Sequence, residues 1–199
     1  MATTAVVNAS DCKILKCYKV EVSTKRYLLI TVKSYPSCKE SYTSIQLFKY
    51  DGETKEYTPQ KYLTLRFFEL NKIPWDDIYS NVVNVFDFSL DVRMPRHQND
   101  MSYFDFIFDV QDFISNKSRI IRVASKRYPQ ATYLYLKLFI QHQNRGKIQQ
   151  TIDISWMELS HLLKIIKEVQ SFPNGIPEEG APITEPELFR PIVVVAPSN

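Results

Sequence analysis

Residues 25–73 read KRYLLITVKSYPSCKESYTSIQLFKYDGETKEYTPQKYLTLRFFELNKI, and this stretch decides the fold. From Tyr27 to Tyr35 the chain alternates. Leu28, Ile30 and Val32 share one face, and Tyr27, Leu29, Thr31, Lys33 and Tyr35 share the other. Side chains alternate across a strand, so the first face reads as core and the second as an aromatic, polar and basic surface. Tyr35-Pro36 marks a turn. A second strand, Tyr42 to Tyr50, repeats the split, with Ile45 and Leu47 inward and Ser44, Gln46, Phe48 and Tyr50 outward. Asp51-Gly52 opens a polar turn, Tyr62 to Leu65 reads as a short strand, and Arg66 to Ile73 reads as a helix that Pro74 stops.

The same order recurs over residues 118–170. Tyr35-Pro36 answers Tyr128-Pro129, Leu47 answers Leu138, Leu65 answers Ile154, and Glu69-Leu70 answers Glu158-Leu159. The offsets are 93, 91, 89 and 89, falling only across turns, where length changes are tolerated. This predicts a tandem repeat of a strand-rich unit closed by a helix. In the second copy Ile121 and Val123 read inward, with Arg122, Lys126 and Tyr128 outward. Leu134, Leu136, Leu138 and Ile140 read inward, with Tyr133, Tyr135, Lys137 and Phe139 outward. Arg145-Gly146-Lys147 is a turn and Ile148 to Ile154 a strand. Ser155 caps the closing helix, with Glu158 three residues on completing a capping box. Trp156, Leu159, Leu163 and Ile166 lay one stripe on the sheet.

Around the repeats, Ile14 to Val22 reads as a first strand made basic by Lys13, Lys16 and Lys19. A helical turn is expected through Ile78 and Val82, then two alternating strands, Phe86 to Arg93 and Tyr103 to Phe113. The expected units are 13–85 and 86–172. The Pro- and Glu-rich tail 173–199 reads as an extended or mobile arm, with Ile192 to Val195 a candidate edge strand.

The chain has 199 residues, 44% hydrophobic and 24% charged, an ordinary balance for a globular protein. Its net charge is +3, too small to argue for nucleic acid unless the cations gather on one face. Three cysteines, Cys12, Cys17 and Cys38, lack metal-type spacing and point to a reducing, intracellular compartment. No apolar run approaches the ~20 residues of a membrane span, and residues 1–10 lack a signal-peptide pattern. His97, His142 and His161 sit on different elements, so no zinc set is expected. There is no nucleophile motif, phosphate loop or dinucleotide fingerprint. No enzyme activity, metal or cofactor is expected. The Asp series Asp87, Asp91, Asp105, Asp109 and Asp112 reads as a solvated face. Beside the basic hairpins it would repel phosphate locally.

The chemistry lies in the interleaving of rings and cations. Tyr35, Phe48 and Tyr50 stand with Lys33 and Lys49, and Tyr128, Tyr135 and Phe139 with Arg122, Lys126 and Lys137. Unpaired bases stack on aromatic faces at about 1–3 kcal/mol each while Lys and Arg track the phosphates. The alternative is that these rings pack against another sheet or subunit.

The runs Lys25-Arg26-Tyr27 to Val32, Ile45 to Tyr50, residues 59–65 and residues 152–159 resemble the positive cofactor four family of transcription coactivators, related in fold to the Whirly proteins. The resemblance implies four curved antiparallel strands and a helix per unit, with units pairing through their helices over a face for unpaired DNA. It carries Arg26, Lys33, Lys49 and Lys61 onto the DNA backbone and Phe48 or Tyr50 onto the bases. The chain departs from the family pattern at Glu53 and Glu56, which dilute the turn, and at Pro74, which shortens the first helix.

The expected fold is therefore α+β, two tandem four-stranded antiparallel sheets each with a helix, packed as a pseudo-dimer. The expected function is single-stranded nucleic-acid binding, foremost DNA, in transcription or replication. The expected site is Arg26, Lys33, Tyr35, Phe48, Lys49, Tyr50, Lys61, Arg122, Lys126, Tyr128, Tyr135, Lys137, Phe139, Arg145 and Lys147. The expected location is the nucleus, the host's if the protein is viral. The alternative is a structural or assembly protein, viral or nucleoprotein, that uses the same faces for subunit contacts. A homo-oligomer or assembly partner would then engage the tail, with no membrane involved.

Overall fold

The computed structural model describes residues 12–80, 102–112, 117–127, 134–142, 148–178 and 187–189. Side chains are described at 12–80 and 150–178, apart from Trp156. The first meander is β1 (Lys13–Ser23), β2 (Arg26–Ser34), β3 (Tyr42–Asp51) and β4 (Glu56–Arg66), followed by the short helix α1 (Phe67–Lys72). Residues 75–80 form a further helical stretch, α2. The second meander is β5 (Ser102–Asp112), β6 (Lys117–Arg127), β7 (Leu134–His142) and β8 (Ile148–Ser155), followed by α3 (Trp156–Ser171). A three-residue strand, β9 (Glu187–Phe189), comes last. The sheets run β4-β3-β2-β1-β9 and β5-β6-β7-β8. Every pairing is antiparallel except β1 with β9. The protein is α+β, with a four-strand meander and a helix in each half.

Alternation makes the core. Tyr18 and Val20 pair with Ile30 and Leu28, which pair in turn with Ile45 and Leu47; Ile45 pairs with Leu63. All seven are buried on one face of the first sheet. The expected strand over 62–65 is longer than the sequence suggests, because β4 begins at Glu56. Pro59 hides this, since proline cannot donate to a ladder. Here it lies in the edge strand beside a register shift between Gln46 and Phe48, where a missing N–H is tolerated.

The helices differ because of one proline. Pro74 ends α1 after six residues, while α3 runs for 16. Ser155 Oγ accepts from Glu158 N at 3.2 Å, and Glu158 Oε2 accepts from Ser155 N at 2.7 Å, so the expected capping box forms. Glu69 Oε2 takes the Arg66 N–H at 2.8 Å in the corresponding place on α1. The buried stripe of α3 is wider than the sequence reading allowed, adding Leu162, Ile165 and Val169 to Leu159, Leu163 and Ile166. Each fully buried aliphatic side chain contributes about 1.5–3 kcal/mol.

This helix closes the second meander yet packs beneath the first. Tyr18, buried on β1, donates its hydroxyl to Glu168 Oε1 at 2.9 Å. Ile152, Ile154 and the α3 stripe join the aliphatic residues of β1–β4 in one continuous core. The edge strands β4 and β8 lie alongside each other. Gln150 Oε1 accepts the Thr64 N–H at 2.8 Å there, standing in for a ladder partner.

Two described pieces of the tail lie against the first sheet. Residues 173–175 form a 3-10 turn whose Asn174 carbonyl accepts from Ser41 N at 3.0 Å. Further on, β9 adds to the open edge of β1, with Tyr18, Lys19 and Val20 opposite Glu187, Leu188 and Phe189. The edge addition thus comes at 187–189. The strands expected at 86–93 and 192–195 lie outside the described residues, as does Val82.

Candidate nucleic-acid interface

The outer face of the first sheet carries the alternate set. Cross-strand pairs on this face run Lys19–Leu29–Gln46–Tyr62 and Tyr27–Phe48. Thr31–Ser44–Thr64 and Lys33–Tyr42–Arg66 follow toward the other end. Residues directly opposite on a ladder share a face, so register alone assembles a surface of rings, hydroxyls and cations.

Four rings gather at one end. Tyr27 stacks on Phe48, centroids 4.8 Å apart and planes within 8°. Tyr57 meets Tyr27 edge-on at 5.0 Å and Tyr50 at 5.3 Å, and its hydroxyl donates to Thr24 O at 2.8 Å. Lys19 Nζ lies 4.5 Å from the Tyr27 centroid, in cation–π range, and pairs with Glu21 at 2.9 Å. Burial pushes the Tyr27 phenol above its ordinary range, with Lys19 pulling the other way, so the ring is neutral at physiological pH. A neutral phenol does not repel phosphate. At the other end Tyr35 and Tyr42 meet edge-on at 5.1 Å. The Tyr42 phenol is raised far out of the physiological range, first by burial and then by its hydrogen bond to Cys38. Cys12, Cys17 and Cys38 are all free.

The expected residues divide. Lys33, Tyr35, Phe48 and Tyr50 lie on this face. Arg26 does not: it shares parity with Leu28, Ile30 and Val32 and points to the core side. Its Nε and terminal nitrogen donate to Glu158 Oε1 and Oε2 at 2.8 and 2.7 Å, and the terminal nitrogen also reaches Asp153 O at 2.7 Å. That guanidinium is consumed within the protein. Lys61 is likewise on the core-side parity of β4, with Nζ 2.7 Å from Asp153 Oδ2. Lys49 is exposed but shares parity with Leu47, turning it away from the rings. The parity of residues 26, 49 and 61 was readable in the sequence. Counting by twos from Leu28, Leu47 and Leu63 places all three on the inner face, Lys61 one step short of the register shift beyond which Pro59 and Tyr57 face outward.

Three residues of the face escaped the sequence reading. Lys19 lies in a strand whose pairing was not assigned. Tyr57 falls in the stretch taken for a turn. Tyr62 was read only as the start of a short strand.

In the second sheet, register pairs Arg122 with Phe139, Ala124 with Lys137 and Lys126 with Tyr135. These positions therefore share one face of the ladder. The same register pairs Ile107 with Arg122 and Asp105 with Ala124, so positions 105 and 109 fall on that face of the ladder. Tyr128, Arg145 and Lys147 lie outside the described residues. Among the described residues no cluster of His, Cys, Asp or Glu could hold a metal ion. No helix among them is long and apolar enough to cross a membrane.

No protein-family model matches the chain, and no curated protein matches it in sequence. Among solved structures it is similar to WHY1 from Arabidopsis thaliana, at 12% identity over 77% of this chain and 82% of that one, TM-score 0.35. It is similar to WHY3 from Arabidopsis thaliana at 13% identity, over 77% and 85%, TM-score 0.33. It is similar to the plant transcriptional regulator PBF-2 at 15% identity, over 79% and 89%, TM-score 0.35.

Proposed function

We propose that this protein binds single-stranded nucleic acid, DNA foremost, on the outer face of its first sheet, and acts in transcription or replication without catalysing a reaction. The observation that carries the reading is the Tyr27, Phe48, Tyr50 and Tyr57 cluster with Lys19 set against it. Rings on a sheet surface offer stacking area that duplex DNA, with its bases paired inside, cannot use. Lys19 and Lys33 on the same face supply phosphate contacts. The two meander-plus-helix halves are read as a tandem repeat, a pseudo-dimer fused through one core. The acting compartment is the nucleus, where free thiols persist.

The second sheet favours a different use. By register, positions 105 and 109 share a face of the ladder with 122 and 126, a mixture of acidic and basic residues that suits a protein partner or a second copy. Fluorescence polarisation with labelled single-stranded and duplex oligonucleotides over a salt series tests the main reading. Single strands are expected to bind more tightly, with affinity falling as salt rises and weakened by Lys19→Gln. Equal binding of duplex, or no salt dependence, would remove it. Concentration-dependent self-association without oligonucleotide binding would favour the assembly reading.

A further inference from the structure

The rings of the first sheet are not equally open. Tyr27 is engaged at once by Phe48, Tyr57 and Lys19. The large aromatic side chains left exposed, among the described residues, are Tyr50 at 42% and Tyr62 at 50%. Tyr50 lies opposite Tyr57, and Tyr62 lies opposite Gln46 one strand over. Between the levels of Tyr50 and Gln46 are four residue steps of β3, about 13 Å at strand rise. Phe48 and Pro59, paired with each other, fill the interval.

That spacing constrains what can bind. Neighbouring bases in a stacked strand are about 3.4 Å apart. Bases resting on Tyr50 and Tyr62 are therefore about four stacked steps apart rather than neighbours, and a base that stacks on either ring gives up a base neighbour on that side. We propose that Tyr50 and Tyr62 are the two base-stacking rings of this face, with Tyr27 and Phe48 shaping the floor between them. Interrupting the base stack at two separate places then selects strands that unstack at little cost. Pyrimidine runs, whose bases stack weakly, are bound in preference to adenine runs, which must first give up their own stacking. This rests on the reading of the face as a single-strand site. It adds a role for Tyr62 and a base preference that the reading alone does not require.

The test uses the full chain and fluorescence polarisation with labelled oligothymidine and oligodeoxyadenosine of equal length at one salt concentration. The wild type is compared with Tyr62→Ala and Tyr62→Phe, with thermal melts confirming that both variants fold. Oligothymidine is expected to bind several-fold more tightly. Tyr62→Ala weakens oligothymidine binding about tenfold, within the range for loss of one stacked base. It also narrows the gap between the two oligomers, because a single remaining ring interrupts the base stack at one place only. Tyr62→Phe preserves both effects, since stacking needs the ring and not the hydroxyl. Oligothymidine binding indifferent to Tyr62→Ala, or adenine runs bound as tightly by the wild type, would overturn this inference and leave the single-strand reading standing. Binding of neither oligomer would overturn both.

Discussion

Arg26 and Glu158 are 132 residues apart in the chain and meet through two hydrogen bonds of 2.8 and 2.7 Å. The arginine side chain is 15% exposed and the glutamate 0%. The same carboxylate also takes the Ser155 N–H, so one group caps α3 and anchors the start of β2. Through Asp153 the arginine reaches β8 as well. A residue expected on phosphate is instead the joint between the two halves.

Removing the arginine alone leaves a buried carboxylate without its counter-charge. Arg26→Met is expected to cost about 3–5 kcal/mol, as for other broken buried pairs. Arg26→Met with Glu158→Gln recovers part of that loss, because the uncompensated charge is gone. Urea denaturation midpoints check both. Equal destabilisation of the single and double variants would show that the charge pairing is not the source.

Lys19 is the cation set against the ring cluster. Lys19→Gln is expected to reduce the slope of log affinity against log salt for a single strand by about 0.7, the value for one phosphate contact. Folding should change little, since the pair with Glu21 is partly exposed and such pairs contribute roughly 0–1 kcal/mol. A salt titration of oligonucleotide binding reads the slope. An unchanged slope would place the phosphates elsewhere.

His161 is buried on α3, and burial, with Lys164 nearby, depresses its pKa below the ordinary 6.5. The native state therefore holds this proton less readily than the unfolded chain does. Its contribution to stability is complete above about pH 6.5 and is lost as pH falls from there through the folded pKa. Thermal melts from pH 7.5 to 5 should show a falling midpoint, and His161→Gln should flatten that part of the curve. An identical acid slope in the variant would assign it to other groups.

Gly175 holds the turn after α3 at a φ of +70°. A β-carbon there would lie 2.2 Å from Ser41 Oγ and 2.4 Å from a Phe67 ring carbon. Gly175→Ala combines an unfavourable backbone region with overpacking, and an expected loss of about 2–4 kcal/mol follows. Chemical denaturation measures it. A loss below about 1 kcal/mol would mean that Ser41 and Phe67 move aside freely.

The strands of the first sheet were legible because alternation is local. Leu28, Ile30 and Val32 declare their face without reference to any partner, and the Ser155–Glu158 box declares a helix start within four residues. The role of Arg26 was half legible: its parity points inward, but the carboxylate that receives it lies on a distant helix. β4 was misread because Pro59 signals a break when taken alone, and only the pairing of Tyr57 with Tyr50 shows the ladder continuing past it. β9 could not be read at all. Three residues carry no periodicity, and their strand character exists only against the edge of β1.

Period, turn chemistry and capping act over a few residues, so the residues alone set two four-strand meanders, a helix after each, the Ser155–Glu158 cap and an outward set of rings and cations. The tertiary structure decided that α3 seats beneath the first sheet and that Arg26 and Lys61 are held by Glu158 and Asp153. It also decided that Tyr50 and Tyr62, rather than Phe48, stand open. Those outcomes depend on which surfaces meet across long stretches of chain, and burial and register are properties of the meeting, not of any residue alone.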